Sequence, residues 1–466
     1  MRVAYRSTSP AGSARVRAVM HAPRQAPSAP RRSTSAAAAL ALIAGLLTVV
    51  SCARQLPTQA SAARPRAITA PRLAAGALGA ETVVSLMPGE DAEQIASDYG
   101  AELLEGGDDK LVVLYSATGN GDELRTALES DSRVKSAEPN QTLLVVEGRQ
   151  KSWAFDDGLP TLQNTLEQPA VATLGVAGAQ AASMGNGVRV AVLDTGVDPS
   201  HPLLAGRIVA TADFLDPTNT GAVDVTDGLD NDGSGETDEA WGHGTHVAGI
   251  VAVAAPSVQL MICRVLDADG RGDVLGVAAG IRWAVDNGAR VINLSLGTTA
   301  TSHAIEEALE QAEDAGVLVV AAAGNRGTDN PTEYPARSRR VFAVAAADCD
   351  SRPTEFTSYG PFVDLVAPGV AIRSSYPGNR YRLWTGTSMA APWASGTAAL
   401  LLSIHPQWTP TQVQSRMAQS AGPLRDPKPS QNGKLGAGML DVGAALRPDL
   451  VAGSNGDDQP VLRTPR

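Results

Sequence analysis

Cysteine is scarce: three in 466 residues, at 52, 263 and 349. That excludes a disulfide framework, and Cys263 and Cys349 are expected as buried free thiols. Aromatic residues make up only 4% of the chain, while 43% is apolar and Gly and Pro number 46 and 30. This mixture excludes a fibrous or disordered chain and suits a globular α/β protein with small-residue turns. Residues 1–80 hold eleven Arg but no Asp, Glu or Lys, which leaves 27 basic and 49 acidic residues from 81 onward. A body so poor in cations does not suit nucleic acid as a partner, because phosphate binding needs clustered positive charge. The long apolar runs of a membrane span are missing too. Residues 36–50 form a run of signal-peptide length behind the Arg-rich leader, too short for a span.

That run ends at Val49-Val50-Ser51-Cys52. Either Cys52 is a lipidated N-terminus that anchors the chain to a membrane, or it is incidental to a plain signal peptide. Residues 1–52 are therefore expected as a leader. Residues 53–80, rich in Ala, Pro and Arg without periodicity, are expected as a spacer. From 81 to 147 the pattern predicts strands over 82–86, 110–116, 134–137 and 142–146, and helices over 91–99 and 122–130. Together these make a small α+β unit of ferredoxin-like type. A linker is expected over 148–168, a large domain over 169–446 and a tail over 447–466. In the large domain, buried-strand runs near 188–193, 259–265, 291–296, 317–322, 341–346 and 362–367 alternate early on with helical stretches at 244–254, 276–287 and 303–315. That alternation predicts a three-layer parallel sheet with helices on both faces.

Four segments could carry chemistry. Asp194-Thr195-Gly196 follows the first buried strand, which puts a carboxylate where open α/β sheets hold their sites. Trp241-Gly242-His243-Gly244-Thr245-His246 starts a helix at His243. Gly386-Thr387-Ser388-Met389-Ala390-Ala391-Pro392 starts another at Ser388, where the backbone N–H is free and the dipole favours negative charge. Ala321-Ala322-Ala323-Gly324-Asn325 ends a strand on an amide side chain. A nucleophile, a base, a carboxylate to orient it and an oxyanion donor are the four parts a serine hydrolase needs. Singly, each residue also fits a turn or a helix cap.

Jointly these segments resemble the subtilisin-like (subtilase) serine peptidases, over about residues 165–446 and in the order Asp, His, Ser. The resemblance implies an exported serine endopeptidase made as an autoinhibited precursor. Ser388 would attack, His243 act as general base and then acid, Asp194 fix the His243 tautomer, and Asn325 with the Ser388 N–H form the oxyanion hole. His246 would be structural. Substrate would lie as an added strand between Gly270-Arg271-Gly272 and Ser295-Leu296-Gly297, with Ala323 and Gly324 lining the groove. Arg326 would stand at the rim of the primary specificity (P1) pocket and tolerate acidic P1 residues. The 81–147 unit would be the inhibitory propeptide, cut from the enzyme near Glu147, so the partners are protein substrates and the chain's own propeptide. No cofactor is needed for such chemistry. Asp230, Asp232, Ser234 and Asp238 match the start of a calcium loop, but Trp241 stands where the last ligand, a Glu, belongs. The loop is thus either a calcium site or a solvated acidic turn. The alternative for the whole chain is a silent peptide-binding pseudoprotease.

Overall fold

In a computed structural model, residues 80–447 are described apart from 109, 148–153, 159–160 and 217. The expected leader, spacer and tail, and Cys52 with them, lie outside the described residues.

The first unit contains strands β1 (Glu81–Leu86), β2 (Ala101–Asp108), β3 (Leu111–Ser116) and β4 (Val134–Pro139). They form an antiparallel sheet in the order β2-β3-β1-β4, with helices Ala92–Asp98 and Gly121–Leu128 in the two crossovers. This is the ferredoxin-like arrangement. Two expectations are corrected. β2 was not foreseen, because Gly106, Gly107 and Asp108 break its pattern and its pairing with β3 shifts register between Leu104 and Asp108. The expected last strand, 142–146, is absent from this sheet: β5 (Thr142–Val145) pairs instead with the large domain.

Strand periodicity explains how the unit is held. Along β3 side chains alternate between faces. Val112 and Leu114 join Val84, Ile95 and Leu128 under the unit's own helices. Leu111 and Val113 join Val83 and the large domain's Val274 and Ala278. Both faces of the sheet are covered, one of them by the large domain.

The large domain is built on a seven-stranded parallel sheet, β14-β13-β12-β10-β6-β8-β7. Its members are β6 (Arg189–Asp194), β7 (Ile208–Asp213), β8 (Gln259–Arg264), β10 (Val291–Leu294), β12 (Leu318–Ala322), β13 (Val341–Ala347) and β14 (Val363–Pro368). Central strands such as β10 and β12 are buried along their whole length, which is why they read as unbroken apolar runs. Edge strand β7 is only partly buried, and its weaker run went unpredicted. Helices His243–Ala254 and Thr387–Ile404 cover one face of the sheet. Helices Val274–Asp286 and His303–Asp314 cover the other.

Two short strands, β9 (Arg271–Asp273) and β11 (Leu296–Gly297), line the groove, and a hairpin pairs β15 (Ile372–Tyr376) with β16 (Arg380–Trp384). The expected irregular linker contains short helices, Leu162–Leu166 and Pro169–Thr173 among them. Cys263 is buried, Cys349 is half-buried, and neither is bridged.

Candidate active site

Strand β6 delivers Asp194 at its last residue, beside the first turn of helix His243–Ala254. Helix and strand meet closely because residue 244 is glycine: a methyl there would collide with the Gly196 carbonyl. Asp194 Oδ1 lies 2.7 Å from His243 Nδ1 and also accepts from the Thr195 N–H at 2.8 Å. Both side chains are sealed from solvent. Trp384 meets the imidazole edge-to-face, with ring centres 5.1 Å apart.

Ser388 occupies the first turn of helix Thr387–Ile404, which is buried from Thr387 through Leu402. Pro392 has no N–H to give the Ser388 carbonyl. Ser295 Oγ donates to that carbonyl instead, at 3.1 Å, and so ties the nucleophile's turn to the groove strand. Asn325 sits opposite, just past β12. Its Oδ1 accepts from the Thr387 N–H at 2.9 Å and the Thr387 hydroxyl at 2.8 Å, which turns its amide N–H₂ toward Ser388.

A carboxylate fills the space these groups enclose. Glu147 Oε1 accepts from Asn325 Nδ2 at 3.0 Å and from the Ser388 N–H at 3.1 Å. Glu147 Oε2 accepts from Ser388 Oγ at 2.5 Å and lies 3.2 Å from His243 Nε2. Oε1 stands in for the oxyanion of an acyl-transfer intermediate, held by the two donors such an oxygen requires. Burial alone would push the His243 imidazole down. The Asp194 carboxylate first, and Glu147 after it, outweigh burial and hold it up at about 10. His246, one turn on, donates to the Ile372 and Arg382 carbonyls. Burial and the neighbouring His243 charge push it down to about 3, so it stays neutral.

Glu147 arrives at the end of β5, which lies between β11 and β9 in a three-stranded antiparallel sheet. Leu144 faces Gly297 and Val145 faces Leu296; on the other side Leu143 faces Gly272 and Leu144 faces Arg271. The Val145 N–H donates to the Gly270 carbonyl at 2.8 Å. Gly270, Arg271, Gly272, Leu296 and Gly297, named from the sequence as groove residues, thus flank this tail; the Ser295 carbonyl accepts from Ser388 Oγ, and Ala323 and Gly324 lead into Asn325. The 81–147 unit is also pinned from outside the groove. Glu138 accepts from Ser302 Oγ, His303 N and Ala304 N at 2.8–2.9 Å, at the start of helix His303–Asp314.

The acidic loop is folded around its own backbone N–H groups. Asp230 accepts from the N–H groups of Gly233, Ser234 and Gly235, Asp232 from Ser234 N, and Asp238 from Asp227 N and Gly228 N. Ser234 Oγ donates to Glu239. Among the described residues no group of three or more His, Cys, Asp or Glu side chains is placed to hold a metal ion. The oxygens expected as calcium ligands, on Asp230, Asp232, Ser234 and Asp238, here brace backbone. Asp269 ties the loop to the groove by accepting from Asn231 N and Asp238 N, each at 2.6 Å. Arg271 donates to the Asn231 carbonyl.

Three residues escaped the sequence. Glu147 was expected near a cut, not in the oxyanion position. Asp224, fully buried, accepts from the Thr195 hydroxyl at 2.9 Å and the Gly242 N–H at 2.6 Å, and so joins the Asp194 turn to the His243 turn. Glu333 is 2% exposed and lies 2.5 Å from Arg326 Nε, so the Arg326 cation already has a carboxylate partner. Nothing local in the sequence marks Asp224 or Glu333, since both reach the site from loops whose course only the fold fixes.

Similarities to known proteins agree with this geometry. The sequence model of the Subtilase family matches residues 185–438, a span that includes Asp194, His243, Asn325 and Ser388. The thermostable alkaline protease of Halalkalibacterium halodurans is 43% identical over 263 residues, covering 54% of this chain and 67% of that protein. Subtilisin BL of Lederbergia lenta is 39% identical over 272 residues, covering 56% and 92%. Among solved structures, fervidolysin from Fervidobacterium pennivorans, a keratinolytic enzyme related to subtilisin, aligns with a TM-score of 0.63 at 26% identity. The match spans 79% of this chain and 60% of fervidolysin.

Proposed function

We infer that this chain, which belongs to the subtilase family of serine endopeptidases, cuts peptide bonds with Asp194, His243 and Ser388 and is held inactive by its own residues 81–147. The observation that carries this is Glu147 Oε1, an anionic oxygen between Asn325 Nδ2 and the Ser388 N–H at 3.0 and 3.1 Å.

With the tail gone and a substrate strand in its place, Ser388 Oγ attacks the carbonyl carbon and its proton passes to His243 Nε2. Asp194 Oδ1 keeps Nδ1 protonated, so Nε2 is the free base, and stabilises the imidazolium that forms. The carbonyl oxygen, now anionic, accepts from Asn325 Nδ2 and the Ser388 N–H. These donors cost no reorganisation because Thr387 and the helix start already fix them. His243 then returns the proton to the leaving amine, and water repeats the sequence on the acyl-enzyme. No cofactor takes part.

The tail supports a latent precursor in three ways. It fills the substrate strand position, its carboxylate saturates the oxyanion donors, and it adds to Asp194 in holding His243 protonated. The cut that frees the enzyme falls beside Glu147, where the docked chain meets Ser388. Export follows from the Arg-rich leader and the apolar run 36–50, with membrane anchoring if Cys52 is lipidated. Substrates are proteins or peptides.

The test is fluorophosphonate labelling of the processed protein against a Ser388→Ala control. Ser388-dependent labelling with peptide hydrolysis is expected. Peptide binding with no labelling would instead establish the pseudoprotease. Intact mass of the exported product reports the cut and the lipid together.

A further inference from the structure

Val146, between the docked strand and Glu147, is 2% exposed and points its side chain at Gly297. A methyl built on Gly297 would stand 3.6 Å from Val146 Cγ1 and 3.5 Å from Glu333 Oε2, so apolar side chain and carboxylate converge on one point from two sides. A methyl built on Gly324, on the facing wall, would lie 2.7 Å from Glu333 Cδ and 3.0 Å from its Oε1. Glu333 therefore spans the slot from one wall to the other. Its backbone is firmly set, because Tyr334 exchanges both backbone hydrogen bonds with Thr298, at 2.8 and 2.9 Å. The partner of the carboxylate, Arg326, is 37% exposed at the rim, whereas Glu333 is 2% exposed.

Charge decides which side chain such a slot favours. An acidic side chain would enter beside a buried carboxylate whose nearest cation is already engaged, and like charges in a poorly solvated site repel strongly. A short apolar side chain such as Val146 touches the slot wall and stops short of a pairing group. A lysine or arginine lays its methylenes along the same wall and brings its cation to Glu333. Arg326 can yield its place to that cation, because its guanidinium already borders solvent.

We propose that Glu333 determines specificity, selecting substrates with Lys or Arg in the position held by Val146, and that Arg326 is the counter-ion they displace. This rests on the peptidase function inferred above and replaces the expectation of acidic P1 residues. It also makes Val146 a poor occupant of the slot, which suits a tail that must leave.

The test uses processed enzyme, titrated with a fluorophosphonate, on tetrapeptide p-nitroanilides that differ only in P1: Lys, Leu or Glu. Lys is expected to exceed Glu by about 100-fold or more in kcat/KM, because the pocket rejects the wrong charge as well as accepting the right one. Glu333→Gln is expected to lower the Lys-to-Leu ratio about tenfold or more, and Arg326→Gln to raise it, since the competitor for Glu333 is gone. A Lys-to-Leu ratio within about twofold of the parent in Glu333→Gln would overturn the proposal, as would Glu cleaved as well as Lys. If Glu333→Gln does not fold, the unmodified enzyme and Arg326→Gln decide: a ratio that Arg326→Gln leaves unmoved or lowers also overturns it. Absence of Ser388-dependent labelling would be a failure of the peptidase function instead, and the titration detects it separately.

Discussion

Glu147 Oε2 and Ser388 Oγ lie 2.5 Å apart, with His243 Nε2 3.2 Å from the same carboxylate oxygen. Ser388 and His243 are therefore joined to one anion, carried by the segment docked in the groove. His243 is raised to about 10, against the pull of burial, by Asp194 and then by Glu147. The folded value lies above the unfolded value of 6.5. The stability this gives the precursor is fully present below about pH 6.5 and is lost as pH climbs through about 10. In a Ser388→Ala precursor, an NMR titration of the His243 ring should find it protonated at pH 8. Glu147→Gln should lower its midpoint; an unmoved midpoint would mean that Asp194 alone sets it.

Asn325 has one N–H₂ group aimed at the oxyanion position, and Thr387 fixes its orientation. Asn325→Ala leaves only the Ser388 N–H. The expected loss in kcat is about 100- to 1000-fold, the range known for subtilisin itself when its oxyanion-hole asparagine is removed. KM should change little, because the hydrogen bond strengthens only as charge develops. A loss in KM alone, with kcat kept, would place Asn325 in ground-state binding.

Glu138 closes the start of helix His303–Asp314 from the other side of the domain boundary, accepting two backbone N–H groups and one hydroxyl. A carboxylate at a helix N-terminus gains from both the free N–H groups and the dipole, about 1 to 2 kcal/mol together. Glu138→Gln should therefore raise the inhibition constant of the released 81–147 unit about tenfold, since 1.4 kcal/mol is a factor of ten. Steady-state inhibition of the processed enzyme measures it. An unchanged constant would show that the groove strand carries the affinity unaided.

The sequence carried most of the parallel sheet, because strands buried on both faces must be apolar at every position, as β10 and β12 are. It carried the four site positions through glycine-rich segments whose small residues let Gly244 pass Asp194 and let Ser388 start a helix. What stayed hidden depends on partners far along the chain. β5 has the composition of a sheet strand, and only the open edges of β9 and β11 decide that it leaves its own unit. Asp230, Asp232 and Asp238 read as a ligand pattern in one dimension, and the N–H groups they accept from are visible only in the fold. Glu333 has no local pattern at all; its meaning comes from Gly297 and Gly324 on either side.

Asp224 shows how burial sets a pH response. Its carboxyl is pushed up to about 7, chiefly by burial, against the lowering bonds from Gly242 and Thr195. With a folded value above the ordinary 3.8, the folded state holds this proton more tightly than the unfolded chain does. Stability from this group is therefore complete below about pH 4, falls as pH rises to about 7, and is flat above. Asp224→Asn cannot ionise and retains one oxygen that can accept from Gly242 or Thr195, so its stability should lack that decline. Other groups titrate in the same window, including Asp267, which burial also raises to about 7. The informative quantity is thus the difference between variant and parent, both carrying Ser388→Ala to prevent self-digestion. Urea midpoints at pH 4.5 and 7.5 should move in favour of Asp224→Asn at the higher pH. Parallel curves across the range would show that Asp224 is already ionised at low pH, with the Thr195 hydroxyl and Gly242 N–H sufficient to hold its charge.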